Sequence, residues 1–483
     1  MKPLSVNYKL CIYAAIALFF VMEIFVIFNN HPAWWDEAVY ISMGKYMFSG
    51  GNAGMWEEIR PPLLPVLSGI LWKLGANPLL GGRIIVLLLS AGTIFLTYLI
   101  GKRAFGAKEG ILAAVMLAFT NAFFYYSALF LSDIASLFFA LAAIYVFISG
   151  KSRVGLFISG ALAALSFLSR FPQALVAIAV ILSIIAKKTE ADKSASGIRR
   201  VIDSSLAFIS GFMALVVPFL LSNYYLYGSA LRPFVAANRI ITESYSWLYD
   251  LGYMYYFREL ATQNLFLVFS IAGLAYLAKD RLWQIKEKAV VFITPLILFL
   301  YFITLNHKEA RYVIIFLPYM FIISSFGFFE IKRRLGNYSP YGKAYSLVSL
   351  IIVAGILGGL LIQDAGGARY VEGIPAFYRN ISTVDFGKGP VFSTTPGVGI
   401  YSDAQIKPIY YSLTYAQNNY EAMHNSSGFV VFNTCDFPCQ DGDTICPRQI
   451  NSLVDGIKNN SKTIYYAKEG DCEHYILEKT NSN

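Results

Sequence analysis

Eleven apolar stretches constrain this chain more than any other feature. They run at roughly 10–29, 84–101, 110–130, 133–149, 154–169, 172–186, 204–222, 263–278, 289–305, 312–329 and 345–363, each bounded by polar residues. A bilayer core is crossed by about 20 predominantly apolar residues in helical form, so the pattern predicts about eleven transmembrane helices. The stretches 154–169 and 172–186 meet at Ser169-Arg170-Phe171-Pro172. Joined, they would be far too long for one crossing, so Arg-Phe-Pro reads as a turn. The first stretch is too long for a cleaved signal peptide, and no small-residue cleavage site follows it. Composition agrees: 56% of residues are hydrophobic and only 14% charged, where a soluble domain has about a quarter charged. An ordinary soluble enzyme and a disordered chain are both excluded.

The basic residues give an orientation. With the N-terminus inside, alternate loops hold Lys2/Lys9, Lys102/Arg103/Lys108, Lys151/Arg153, Lys187 to Arg200, Lys279 to Lys288 and Lys332 to Lys343, 20 in all. The opposite loops hold 10, and the tail holds the remaining 9 of the 39. The expected topology is therefore N-terminus cytoplasmic, C-terminus extracytoplasmic. The formal net charge of +9 divides into +13 on residues 1–363 and −4 on residues 364–483. That surplus anchors the chain to the membrane, and nucleic acid is not an expected partner.

Residues 364–483 read as a different material. Gly, Pro, Asn and Ser punctuate short β-type runs such as Gly428–Phe432 and Thr463–Tyr466, which predicts a small α/β extracytoplasmic domain. The expected division is a membrane domain over 1–363 and this soluble domain over 364–483. Cys435, Cys439, Cys446 and Cys472 lie in the tail, and an even number in an exported domain favours two disulfides over zinc, because paired C-x2-C knuckles are missing. Three connectivities are open. Glycosylation sequons at Asn380, Asn425 and Asn459 suit an external domain.

Ionisable residues at membrane depth are costly and usually functional. Sorted by side, the unusual ones gather on the outer face: Trp34-Trp35-Asp36-Glu37-Ala38-Val39-Tyr40, then Glu57-Glu58-Ile59-Arg60-Pro61-Pro62, Ser132-Asp133, Arg170, and His307-Lys308-Glu309-Ala310-Arg311-Tyr312. Each has a structural alternative. Asp36 and Asp133 sit where helix caps are expected, the aromatics could form an interfacial belt, and the arginines could hold lipid headgroups. Their number on one side favours function. The same loop predicts two interfacial helices. One runs over Glu37–Phe48, with Val39, Tyr40, Met43 and Met47 near helical spacing; the other follows Pro61-Pro62 through Leu74.

Asp36-Glu37-x-x-Tyr40, Arg60-Pro61-Pro62, Ser132-Asp133, Phe167 to Pro172 and His307 to Tyr312, in that order and on one side, resemble the GT-C superfamily of membrane glycosyltransferases. The dolichyl-phosphate-mannose protein mannosyltransferases and the lipid A aminoarabinose transferases are the most similar groups. The resemblance spans about residues 1–330. The loop 223–262 is too short for the sugar-binding insertion of the eukaryotic mannosyltransferases, and the tail matches no module of the family. Trp34-Trp35-Asp36 is also similar to an oligosaccharyltransferase motif, but that motif lies in a C-terminal domain, so the match is set aside.

The resemblance implies transfer of one hexosyl or pentosyl unit, with inversion, from a polyprenyl-phosphate carrier to a hydroxyl on a protein, lipid or glycan. It implies catalytic roles for Asp36, Glu37 and Asp133, with Asp36 as the base. Arg60, then Arg170, Arg311 and Lys308, would bind the donor phosphate, since a planar guanidinium binds two oxygens at once. Tyr40, His307 and Tyr312 would touch substrate. No metal is required, although His31, Asp36, Glu58 and His307 include plausible donors for a divalent ion. The rival classes are a polytopic transporter or lipid-linked-sugar flippase, and a receptor-like binding protein. A transporter predicts charges through the midplane and repeated halves; neither is seen in the sequence.

Overall fold

The computed structural model describes residues 7–29, 33–150, 152–186, 195–243, 246–336, 339–365, 376–387, 389–419, 428–459 and 461–479. The chain divides into two compact units. The first holds 1–30, 83–231 and 250–369; the second holds 31–82, 232–249 and 370–483. This differs from a boundary at 363/364. Hydropathy sorts residues by the solvent they prefer, whereas contact sorts them by what they pack against.

The first unit is helical, and this is an integral membrane protein. Among the described residues six helices are long and apolar enough to cross a bilayer: Tyr8–Phe28, Pro78–Ala104, Ser132–Ser149, Gly197–Tyr227, Lys286–Thr304 and Pro340–Leu361. Each of the eleven apolar stretches coincides with a helix or a pair of helical segments. The stretch 110–130 is a pair, Ala107–Ala118 and Asn121–Ser127, bent by 63°. The stretches 263–278 and 312–329 each begin as a 3-10 turn, Leu265–Val268 and Ala310–Ile315, before the α-helices Phe269–Lys279 and Leu317–Leu335. The turn predicted at Arg170-Phe171-Pro172 is present, with Arg170 capping the helix Arg153–Ser169 and Phe171–Gln173 forming a 3-10 turn.

Lipid offers little hydrophobic gain to helix association, so close packing of small residues carries it. Gly160 and Gly211 do this between Arg153–Ser169 and Ala195–Tyr227. A Cβ on either would fall 1.9 Å from a carbonyl oxygen of the other helix, that of Phe208 or Phe157.

The second unit is built on a five-stranded sheet of order β2-β1-β3-β5-β4, with β1 Val391–Ser393, β2 Ile406–Pro408, β3 Phe429–Asn433, β4 Ser461–Glu469 and β5 Cys472–Lys479. β1 runs parallel to β2 and β3, while β5 is antiparallel to β3 and β4. The helix Ile445–Lys458 covers one face through Ile450, Leu453, Val454 and Ile457, against Phe432, Tyr475 and Leu477. Four cysteines form two disulfides, Cys435–Cys472 and Cys439–Cys446. Asn380 is half-buried, its amide donating to the Tyr465 hydroxyl; Asn425 lies outside the described residues.

Both helices expected in the first loop form, as Trp35–Ser49 and Leu63–Lys73. The first shows more than an amphipathic stripe: Asp36 through Lys45 are all buried, while Met47 is exposed. Val39 and Met43 join the core made by Val391, Val398, Ile406, Val431 and Ile476 of the tail. The Lys45 ammonium donates to the Ser402 carbonyl and pairs with Asp403 at 2.8 Å. A helix that periodicity would lay on a membrane is a core element of a soluble-type fold.

Candidate active site

In the second unit the charged cluster starts at a helix N-terminus. Trp34 is the N-cap of Trp35–Ser49, in extended conformation. The Glu37 carboxylate accepts from the Trp34 N–H at 2.8 Å, as one half of a capping box. Glu37 is thus the capping carboxylate. This leaves Asp36, 5% exposed, facing Arg60.

Arg60 is shared. Its Nη2 lies 3.0 Å from Asp36 Oδ1, and its Nε donates to Glu57 Oε2 at 3.0 Å. The other oxygen of Glu57 accepts from the Tyr410 hydroxyl, and the guanidinium lies 6.0 Å from the Tyr40 ring centroid. Burial works against the charge on Arg60. The adjacent carboxylates of Asp36 and Glu57 outweigh it and hold the guanidinium charged well above its ordinary range. Next to this group Glu58 pairs with Arg232 at 3.2 Å.

In the first unit a second cluster forms from three separated segments. Asp133, fully buried in the first turn of Ser132–Ser149, pairs with Arg170 Nη1 at 3.0 Å. The Arg170 guanidinium lies 4.4 Å from the Tyr312 ring centroid, a cation–π contact. Glu309 gathers the remainder. Its Oε1 meets His307 Nε2 at 2.9 Å and accepts from Arg311 Nη2 at 3.0 Å and the Tyr312 hydroxyl at 2.6 Å. Its Oε2 lies 2.7 Å from Arg311 Nε. Burial raises the Glu309 carboxyl, but Arg311, His307 and Tyr312 together pull it well below the usual carboxylate range.

The sequence-derived residues therefore fall into two groups. Asp36, Tyr40 and Arg60 come together in the second unit; Asp133, Arg170, His307, Arg311 and Tyr312 come together in the first. Lys308 turns aside: its ammonium donates to the Leu305 carbonyl and lies 5.7 Å from the Tyr253 ring centroid. His31 lies outside the described residues. Among the described residues, no three His, Cys, Asp or Glu side chains gather where they would hold a metal ion.

Three participants have no role in the sequence reading: Glu57, Glu309 and Tyr410. The two glutamates were within reach, as each lies two or three positions before an arginine already singled out. Tyr410 was not, since 353 residues separate it from its partner Glu57.

A sequence model of the dolichyl-phosphate-mannose-protein mannosyltransferases matches residues 59–221, about a third of the chain. The match takes in Arg60, Asp133 and Arg170 but neither Asp36 nor the His307–Tyr312 segment. No curated protein sequence matches. Among solved structures, ArnT from Cupriavidus metallidurans bound to undecaprenyl phosphate is similar over 98% of both chains, at 11% identity and a TM-score of 0.66. The Archaeoglobus fulgidus oligosaccharyltransferase in complex with Zn and sulfate is similar over 88% of this chain and 68% of that one, at 13% identity and a TM-score of 0.62. The archaeal oligosaccharyltransferase AglB from the same organism, in complex with an inhibitory peptide and a dolichol-phosphate, gives 12% identity and a TM-score of 0.59 over 98% and 74%. At these identities the likeness is one of fold. That fold is the one the motif resemblance implies.

Proposed function

Given the GT-C glycosyltransferase fold that this chain carries, we propose that it transfers a single sugar from a polyprenyl-phosphate donor to a hydroxyl acceptor at the outer face of a membrane. The observation that supports this best is the pair of buried Asp36 with half-buried Arg60, a carboxylate of the strongest motif held by a cation. In this reading eleven spans place the N-terminus on the cytoplasmic side and the tail outside. Asp36 accepts the proton of the acceptor hydroxyl. The acceptor oxygen bonds to the anomeric carbon from the face opposite the carrier, and the bond from that carbon to the carrier phosphate breaks with inversion. The electron pair leaves on the polyprenyl phosphate, an anion that needs fixed positive charge.

The local charges support a division of roles. In the second unit one guanidinium faces two carboxylates, which suits a base. Arg60 then serves chiefly to hold Asp36, although it ranked first for phosphate on sequence. In the first unit Arg170 pairs with Asp133 and Arg311 with Glu309, and two neighbouring guanidiniums suit binding of the leaving phosphate. One arginine–phosphate contact contributes about 3 kcal/mol to such a transition state. Tyr40, His307 and Tyr312 complete the substrate contacts, and the scheme needs no metal ion.

The test uses purified full-length protein and a polyprenyl phosphate carrying a radiolabelled hexose or pentose, with cell-envelope extract as acceptor source. Free polyprenyl phosphate and a labelled acceptor are the expected products. Flipping or transport would move the donor intact, so an unbroken donor overturns the reading. Accessibility of terminal tags in sealed vesicles checks the orientation.

A further inference from the structure

We propose that Tyr410, in the tail, is a positioning residue for the candidate base: it holds Glu57, Glu57 holds Arg60, and Arg60 holds Asp36. The inference rests on the reading of Asp36 as the base. It gives the C-terminal part of the chain a share in the chemistry.

The relay begins with a register. The segment leading into Glu57 meets the start of β2 at one point: the Gly54 N–H donates to the Ala404 carbonyl at 2.9 Å, and the Ile406 N–H returns a bond to the Gly54 carbonyl at 2.8 Å. The Gln405 amide adds a third bond, to the Gly51 carbonyl at 3.0 Å. Only glycine fits at 54, where φ is +70° and a Cβ would fall 2.1 Å from the Ser42 carbonyl oxygen. The first loop is thus tied to the sheet by one parallel bridge, Gly54 to Gln405, and the chain leaving β2 carries Tyr410 to Glu57. The Tyr410 ring is fixed independently, edge-on to Trp35 at 5.0 Å. Tyr410 and Glu57 are 7% and 2% exposed, so water does little to replace a lost partner, and a buried carboxylate deprived of a donor rearranges.

The geometry makes the orientation of Glu57 matter. With one oxygen held by Tyr410, Glu57 offers the other to Arg60 Nε, and Nη2 remains on Asp36. Without the hydroxyl, Glu57 is free to take the guanidinium with both oxygens and draw it off Asp36. The other ionisable groups around the relay are Tyr40 and Glu37 on the helix of Asp36, Glu58 with its partner Arg232, and Tyr411. None of them changes in the variants below.

Two substitutions should move Asp36 in opposite directions. Tyr410→Phe keeps the ring but loosens Arg60 from Asp36, so the acid limb of the pH–rate profile should rise by about half to one pH unit. The maximal rate should fall about tenfold, with KM little changed. Glu57→Gln removes a competing negative charge, so the limb should move to lower pH. A merely structural tyrosine would lower the amount of folded enzyme and leave the limb in place. Infrared pH titration of the full chain reads the same quantity without turnover, with the Asp36 carboxyl band identified by its loss in Asp36→Asn. Opposite shifts in the two variants support the proposal. An unmoved Asp36 band in folded Tyr410→Phe overturns it, whether or not the rate falls. If the wild type fails to release polyprenyl phosphate, the functional reading falls, and the infrared titration still decides whether Tyr410 controls Asp36.

Discussion

The two charged clusters are built from the same residue types and do opposite things with them. In the second unit a single arginine is divided between Asp36 and Glu57, with Tyr410 drawing on the second carboxylate. In the first unit Arg170 pairs with Asp133 and Arg311 with Glu309, and a tyrosine ring lies beside them. The supports differ as well. The first cluster is held by helices and a 3-10 turn, whose backbone bonds are satisfied within each segment, as the interior of a membrane demands. The second is held by a sheet register, a helix N-terminus and a core that reaches into the disulfide-bonded tail. Under the proposed roles the carboxylate-rich group supplies the base, and the group with two guanidiniums receives the phosphate.

The largest expected effect tests the base. Asp36→Asn should reduce transfer about 10²- to 10⁴-fold in protein that still elutes as a folded species, and more than Asp133→Asn does. The reverse order would exchange the roles of the two clusters. Next comes the anion side: Arg170→Ala or Arg311→Ala should each lower the maximal rate about 10²-fold. Lysine at either position should restore only part, because a point charge does not replace a planar fork. Equal recovery by lysine would reduce these sites to simple charge.

Arg60→Lys should be milder, about tenfold, with the acid limb of the pH–rate profile raised as Asp36 loses a well-placed cation. A loss as large as that at Arg170, with the limb unmoved, would return Arg60 to the phosphate.

The smallest effect is on stability. Because the folded-state pKa of Glu309 is depressed, its contribution is fully present above the ordinary carboxylate value and is lost as pH falls through the lower folded one. Glu309→Gln should therefore lower the thermal midpoint at neutral pH, with the gap to wild type closing below about pH 4. A gap that persists into acid would show that packing, not charge, was lost.

Much of the helical unit was legible in the sequence because lipid imposes a rule that acts on single segments. Each apolar stretch from 10–29 to 345–363 had to satisfy its own backbone, and each is found as a helix or helix pair. The bend between Ala118 and Asn121 was not legible, since hydropathy carries no direction. The candidate residues were visible as ionisable groups in places that penalise them, which is why Asp36, Arg60, Asp133, Arg170 and Arg311 all appear in clusters. Lys308 met the same criterion but spends its charge on the Leu305 carbonyl, a choice set by local chain direction.

The sequence by itself determined the membrane character, the places of the helices, a tail of different composition and the motifs behind the family resemblance. These follow from the spacing of apolar, basic and cysteine residues along the chain. Only the tertiary structure decided that the first loop folds with the tail, that Glu37 caps while Asp36 pairs, and that Tyr410 reaches Glu57 across 353 residues. Periodicity reports which face of a segment avoids water. It does not report which distant segment will cover that face, and the pairing of buried charges depends on that covering.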